Sequence, residues 1–253
     1  MNTTNNRKVA IVTGAGQGIG LRICELLAAA GNHVVLNDID PELCSQAATK
    51  VALHGSCIAM PGDAGDALFV QGMVERTVES FGRIDIAMAV AGITLFGDFF
   101  TYPVADFDRV MQVNLRGTFY LAQTAANQMK QQGTGGSLLF TSSVVGHQAH
   151  KNLAAYAMSK AAIEMLAKNL VSEVAEFGIN VNTIAPGATL TERTLEDPAY
   201  TATWSRITPM GRPASVDDIA HAALFLTSES ARHITGQSLV IDGGWTSMSP
   251  SPY

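Results

Sequence analysis

An apolar run, Val9-Ala10-Ile11-Val12, leads without a break into Thr13-Gly14-Ala15-Gly16-Gln17-Gly18-Ile19-Gly20 and then into a helix-period segment. A buried strand that turns through glycines into a helix belongs to an α/β chain with a parallel sheet. Glycine lets the backbone turn tightly and come close to a ligand, and free N–H groups at the helix start face an anion. The spacing is Thr-Gly-x-x-x-Gly-x-Gly, not G-x-G-x-x-G: Ile19 or Leu21 stands where that pattern needs its last glycine. The loop still suits a pyrophosphate, with Gly14, Gln17, Gly18, Ile19 and Gly20 as its contact residues.

The same alternation continues along the chain. Apolar runs near 8–13, 33–37, 56–60, 84–90, 137–141, 179–185 and 238–241 are separated by helix-period segments near 18–30, 41–53, 65–80, 104–131, 153–176 and 216–227. Short strands without polar alternation suit a parallel sheet covered on both faces. The expected fold is a single doubly wound, Rossmann-type domain over 1–253, with about seven parallel strands and helices on both sides. Asp40-Pro41 offers an N-cap with proline at the first helical position, and Gly82, Gly133 and Gly178 stand where helices should stop. The stretch Pro186 to Pro213 has weak periodicity and reads as an irregular substrate lid near 188–213. The tail from Met248 to Tyr253 reads as extended.

Bulk properties exclude several roles. With 253 residues, 47% hydrophobic, the chain can bury a large core, and its formal charge of −6 offers no basic field for nucleic acid or an anionic membrane. Cys24, Cys44 and Cys57 are odd in number and lack metal-ligand spacing, so no metal is expected and the thiols suit a reducing compartment. Residues 1–8 are polar and lead straight into a strand, no apolar stretch is long enough to span a bilayer, and a cytoplasmic location is expected.

Two further constellations carry chemistry. Asp38 ends the second apolar run, eighteen residues past Gly20, where a carboxylate can accept hydrogen bonds from an adenosine ribose. The same charge repels a 2′-phosphate, and Gln17 and Ile39 supply no cation against it, so NAD is expected over NADP. Tyr156 and Lys160 are four residues apart in a helical segment and share one face, with Ser143 thirteen residues before the tyrosine. A free phenol titrates near pH 10, and an adjacent ammonium favours its ionised form, which suits acid–base work at neutral pH. Ser143, just after the strand Leu138–Thr141, can donate a hydrogen bond to a substrate oxygen as charge develops.

Taken together, these motifs resemble the short-chain dehydrogenase/reductase family over nearly the whole chain. Thr13 to Gly20 match its cofactor motif, Asp63 its adenine-side aspartate, Asn114 its catalytic asparagine, Ser143 its serine, and Tyr156 and Lys160 its tyrosine–lysine pair. Pro186-Gly187, Thr191 and Asp242-Gly243-Gly244 also match. The resemblance implies NAD contacts at Asp63, Ala64, Ala91, Gly92, Pro186, Gly187, Thr189 and Thr191, as well as Tyr156 and Lys160. It implies that Tyr156 exchanges a proton with the substrate oxygen during hydride transfer, that Lys160 assists it and holds the nicotinamide ribose, and that Asn114 anchors a water leading from Lys160 to solvent. One departure stands out: Ala89-Val90-Ala91-Gly92 occupies the place of Asn-Asn-Ala-Gly, so two side-chain amides are missing.

Substrate-facing candidates are Ser143, His147, Asn152 and Tyr156, with Thr94, Phe96, Glu192 and Trp204 around them. His147, His150, Asn152 and Glu192 could bind a polyol, whereas Phe96, Phe99, Phe100 and Tyr102 read as packing at a helix start. The segment Thr208–Pro213 resembles members acting on polyols and simple sugars, and also 3-oxoacyl-thioester reductases. The expected activity is NAD-dependent interconversion of a small secondary alcohol and its ketone. A thioester reductase and an NAD-binding regulator without turnover are the alternatives; an intact Ser143, Tyr156 and Lys160 speaks against the regulator. The resemblance further implies a homotetramer formed through the helices near 104–131 and 153–176, where Ala154, Ala155, Ala157, Ala161 and Ala162 permit close approach.

Overall fold

The computed structural model describes residues 7–248. Its strands are β1 Val9–Thr13, β2 His33–Leu36, β3 Cys57–Ala59, β4 Ile86–Ala89, β5 Gly136–Thr141, β6 Ile179–Pro186 and β7 Ser238–Ile241. They form one sheet in the order β3-β2-β1-β4-β5-β6-β7, every pairing parallel. The helices are α1 Gly18–Ala29, α2 Pro41–Ala52, α3 Ala67–Phe81, α4 Val104–Val110, α5 Gly117–Gln132, α6 Ala154–Val174, α7 Tyr200–Ile207 and α8 Val216–Leu226.

Successive side chains of a strand point to opposite faces, and here both faces are dry. Ala10 and Val12 of β1 pack with Leu21, Ile23 and Leu27 of α1 and Ile219 and Ala223 of α8. Ile11, between them, packs on the other face with Met73 of α3, Leu121 of α5 and Ile163 of α6. That is why the strands read as unbroken apolar runs. Each fully buried side chain of this size contributes roughly 1.5–3 kcal/mol.

Local signals hold the helix ends. The Asp40 carboxylate accepts from Glu42 N at 2.9 Å and Leu43 N at 3.1 Å, capping α2 with Pro41 at its first position. Gly82, Gly133 and Gly178 close their helices with φ of 78°, 67° and 70°. Strand β1 lies between β2 and β4, so the chain departs to opposite sides there and leaves a crevice above the carboxyl ends of β1 and β4.

Three expectations need correction. The helix expected over 104–131 is divided: α4 runs into a π-helical turn, Met111–Arg116, before α5 begins. The stretch 186–213 is not wholly irregular, because it contains the helix α7. Phe96, Phe99 and Phe100 do not pack at the helix start; they are 65%, 74% and 91% exposed, and only Tyr102 turns inward, donating its hydroxyl to Leu95 O at 3.0 Å. Residues 249–253 of the tail lie outside the described residues.

Candidate active site

The crevice is lined by Gly14, Gln17, Gly18, Ile19, Gly20, Asp38, Asp63, Ala64, Ala91, Gly92 and Thr191, all named from the sequence. Ile39, Val90 and Glu192 also line it, the last expected to face substrate, while Asn37, Ile93, Arg109, Val113 and Arg193 complete its wall and were not foreseen. Gly14 adopts φ of +63°, and a Cβ there would lie 2.5 Å from the Ala91 Cα, so the glycine turn and the end of β4 fit only without a side chain at 14. Ala91 N donates to Thr13 Oγ1 at 3.4 Å. The backbone beyond β4 is thus held from Thr13, even though the usual Asn-Asn amides are replaced by Ala89 and Val90.

Asp38 accepts from Gly16 N at 2.9 Å and from Asp40 N at 3.1 Å, which fixes its carboxylate against the glycine loop. Beside it, buried Asn37 donates through Nδ2 to Met60 O at 2.9 Å and Gly62 O at 3.0 Å, tying β2 to the loop that carries Asp63. Its Oδ1 is buried and has no partner among the described residues. Burial alone would raise the Asp63 carboxyl, but the Gly65 N–H at 2.8 Å and Arg109 at 3.0 Å outweigh it and hold it below the usual carboxylate range. Glycines, orphaned amide oxygen and carboxylates make a crevice whose residues fit a dinucleotide.

Of the proton-transfer candidates, Lys160 and Asn114 stand behind Gly92 of the crevice wall, while neither they nor Ser143 and Tyr156 are among the residues that line it. Lys160 is only 3% exposed, and its Nζ donates to Thr141 O at 2.7 Å while lying 5.5 Å from the centre of the Tyr156 ring. Burial pushes the Lys160 ammonium below its ordinary range, and the neighbouring Tyr156 works against that shift. A Cβ at Gly92 would sit 3.3 Å from Lys160 Nζ and 3.4 Å from Asn114 Oδ1, so the crevice wall reaches both groups. Asn114 projects from the π-helical turn, a distortion common at functional sites. Its Oδ1 accepts from Ile93 N at 2.8 Å, and its Nδ2 donates to Ile93 O at 3.0 Å and Ser159 Oγ at 3.1 Å.

Ser143 begins a short 3-10 turn, Val144–Gly146, and its Oγ accepts from Val145 N at 3.4 Å. Val144, Val145 and Leu153 form a small apolar cluster against which Tyr156 and Trp245 pack, so serine and tyrosine share one supporting patch. Asn152 has φ of 64°, the one left-handed non-glycine backbone among the described residues, and its carbonyl accepts from Gly97 N at 3.0 Å. Strain of that kind concentrates at functional sites. His147, a candidate for substrate, has its Nε2 engaged with Glu164 Oε1 at 2.8 Å. Thr94 follows Ile93 on the β4 loop, and Phe96 stands edge-on to His150 with ring centres 6.4 Å apart.

The segment expected to form a lid is tied at its base. Thr189 and Ala214 form a parallel bridge, Leu190 N donates to Ala214 O at 2.8 Å, and Gly187 N donates to Ile241 O at 2.9 Å beyond the end of β6. Pro186 pairs with Ile241 in the last rung of β6 and β7. Within the lid, Thr194 Oγ1 donates to Thr189 O at 2.9 Å and accepts from Thr191 N at 2.8 Å. Trp204 of α7 meets Trp245 edge-on at 5.4 Å. Glu192 Oε2 lies 3.5 Å from where a Gly18 Cβ would stand, at the amino end of α1.

A parallel sheet with a dinucleotide-type crevice at its switch point, and a lysine–tyrosine pair on α6 whose lysine lies behind the Gly92 wall, points to a nucleotide-dependent oxidoreductase class. Comparison with known proteins agrees. A family model described as Enoyl-(Acyl carrier protein) reductase matches residues 14–246. L-rhamnose 1-dehydrogenase (NAD(P)(+)) of Sphingomonas sp. (strain SKA58) is 34% identical over 94% of this chain and 95% of its own length. The 7alpha-hydroxysteroid dehydrogenase of Escherichia coli (strain K12) is 35% identical over 94% of this chain and 93% of its own. The crystal structure of a short-chain type dehydrogenase/reductase from Mycobacterium marinum superposes with a TM-score of 0.90 at 33% identity, covering 94% of this chain and 95% of that one. The chain belongs to the short-chain dehydrogenase/reductase family and is an oxidoreductase of the alcohol dehydrogenase/ketoreductase kind.

Proposed function

We propose that the protein interconverts a secondary alcohol and its ketone using NAD, with Tyr156 as the group that moves the substrate proton. The observation that carries this reading is the buried Lys160 ammonium, 5.5 Å from the Tyr156 ring and beside the crevice wall at Gly92. An ammonium in a dry site stabilises negative charge on a nearby phenol oxygen far better than one in water. Ser143 donates to the substrate oxygen, and Asn114 supports Lys160 by holding the Ile93 backbone at the crevice wall. The nicotinamide, when bound, accepts or supplies the hydride. Asn152 and His147 lie on the same loop between serine and tyrosine, where the carbinol's neighbours would be received.

Asp38 supports NAD over NADP. Its carboxylate is fixed at the end of β2 by Gly16 N and Asp40 N, and a 2′-phosphate brought there meets an unmoving negative charge. Arg109, a cation of the crevice, is committed to Asp63 at 3.0 Å. The kcat/KM for NAD should exceed that for NADP by about tenfold or more. A reversed ratio would overturn the cofactor assignment.

Polyols and sugars remain the expected substrates, in line with the lid's hydrogen-bonding residues. A second reading, a more apolar hydroxy compound, is favoured by the exposed Phe96 and the Trp204–Trp245 pair. A panel of sugar alcohols, cyclic secondary alcohols and acetoacetyl thioesters with NAD(H) separates these readings from the thioester alternative. Tyr156→Phe should lower kcat by about 100-fold or more while leaving the NAD(H) dissociation constant within about twofold. Turnover preserved in that variant would end the proton-transfer assignment, and cofactor binding without turnover on any substrate would favour a regulator.

We also infer a homotetramer. Phe119 and Met165, 43% and 56% exposed, line a groove with Met111, Leu115 and Leu166, and Phe107 and Met158 on α4 and α6 are a further 39% and 50% exposed. The thiols of Cys24 and Cys44 are buried and unpaired, which suits a cytoplasmic setting. No helix among the described residues is long and apolar enough to cross a membrane.

A further inference from the structure

One turn beyond Lys160 on α6 lies Glu164, whose side chain is 11% exposed. Three donors converge on its Oε1: Ser142 Oγ at 2.6 Å, His147 Nε2 at 2.8 Å and Ser238 Oγ at 3.1 Å. These come from the end of β5, the turn after it and the edge strand β7. The order of groups is not that of a nucleophile triad, because both serines bond the carboxylate directly and the one histidine nitrogen that faces the carboxylate, Nε2 at 2.8 Å, is also the one 3.4 Å from Ser238 Oγ. The cluster does something else: it brackets Ser143. Ser142 precedes that residue and His147 follows the turn it begins.

Ser143 itself is weakly held. The only side-chain hydrogen bond it makes among the described residues is the long one from Val145 N, at 3.4 Å, although its carbonyl accepts from Gly146 N at 2.9 Å. Ser142, 2% exposed, has a single hydroxyl proton, and the 2.6 Å contact to Glu164 takes it in preference to Lys160 O at 3.0 Å. Between the brackets, the turn lies flat on α6: a Cβ at Gly146 would be 3.2 Å from Ala161 N and 3.1 Å from Ser142 Oγ. The serine turn is therefore clamped to the helix that bears Tyr156 and Lys160, with Glu164 as the common acceptor.

We propose that Glu164 is a positioning residue for the reaction: through Ser142 and His147 it sets the place of the Ser143 hydroxyl relative to Tyr156. The inference rests on the reading that Ser143 orients the substrate oxygen. Misplacing such a donor by about 1 Å costs on the order of 100-fold in rate. Glu164→Ala should lower kcat roughly 10- to 100-fold and move the NAD(H) dissociation constant less than about twofold. Glu164→Gln keeps an acceptor oxygen at the same place and should retain activity within about threefold.

The deciding measurement is a cycle with Ser143→Ala, read as kcat on the best alcohol of the panel. If Glu164 acts through Ser143, adding Glu164→Ala to Ser143→Ala should cost less than about threefold more. A full additional 10- to 100-fold loss in the double variant would show a general structural role and overturn the inference. Ser142→Ala, run in the same cycle, should give the same non-additive pattern and serves if Glu164→Ala fails to fold. Ser143→Ala losing nothing by itself would instead remove the serine's proposed role, a failure visible before the cycle is closed.

Discussion

Lys160 holds its charge where the surrounding protein resists one, and that has a measurable cost. Its folded-state titration lies below the ordinary lysine range because of burial, while the unfolded chain keeps a value near about 10.4. Between those two values the unfolded chain binds the extra proton, so this residue makes stability rise with pH through the window and leaves it flat below. The urea midpoint of Lys160→Met relative to the parent should therefore shift less favourably as pH is raised towards about 10.4. A pH-independent difference would mean that the lysine is not titrating in a dry site. That Tyr156 and Lys160 share one helix was legible, because their spacing of four is one helical turn. Glu164, four residues on, was not: a lone carboxylate on a helix reads as solvated, and only the fold brings Ser142, His147 and Ser238 to it. His147 was singled out as a candidate for substrate, with its bond to Glu164 invisible.

Elements fared unevenly for physical reasons. Strands were plain because both sheet faces demand apolar residues at every position, as Ala10, Ile11 and Val12 show. The π-helical turn at Met111–Arg116 escaped notice, since one widened turn barely alters an apolar rhythm read over two dozen residues. Phe96, Phe99 and Phe100 were misjudged because aromatic composition says nothing about whether a short loop has a surface to pack on. The lid offers the sharpest test at this level. Its Glu192 carboxylate reaches the amino end of α1, the place best suited to a pyrophosphate, and two negative groups there oppose each other. Glu192→Gln should tighten NAD(H) binding about threefold to tenfold at low salt, with the gain shrinking as ionic strength rises. Unchanged or weaker binding would place that carboxylate elsewhere in the bound state.

Taken as a molecule, the chain has a crevice on one side and exposed apolar residues on another. The crevice opens above the carboxyl ends of β1 and β4, while α4, α5 and α6 expose Phe107, Phe119, Met158 and Met165. Helices with that much apolar surface suit burial against a second copy. Phe119→Glu combined with Met165→Glu should lower the mass seen by light scattering at micromolar concentration to that of a smaller assembly, leaving far-UV circular dichroism unchanged. A parent protein already monodisperse at 26.7 kDa would refute the assembly outright. The Thr189–Ala214 bridge has a wider consequence. Because the insertion begins and ends at a single rung, it is a cassette: it can lengthen, shorten or be exchanged without disturbing any strand. Its anchors outside, among them Gly243 for Met210, Trp245 for Trp204 and Asp218 for Arg212, need to travel with it. One stretch of chain can then be replaced while Ser143, Tyr156 and Lys160, which lie outside it, are inherited untouched.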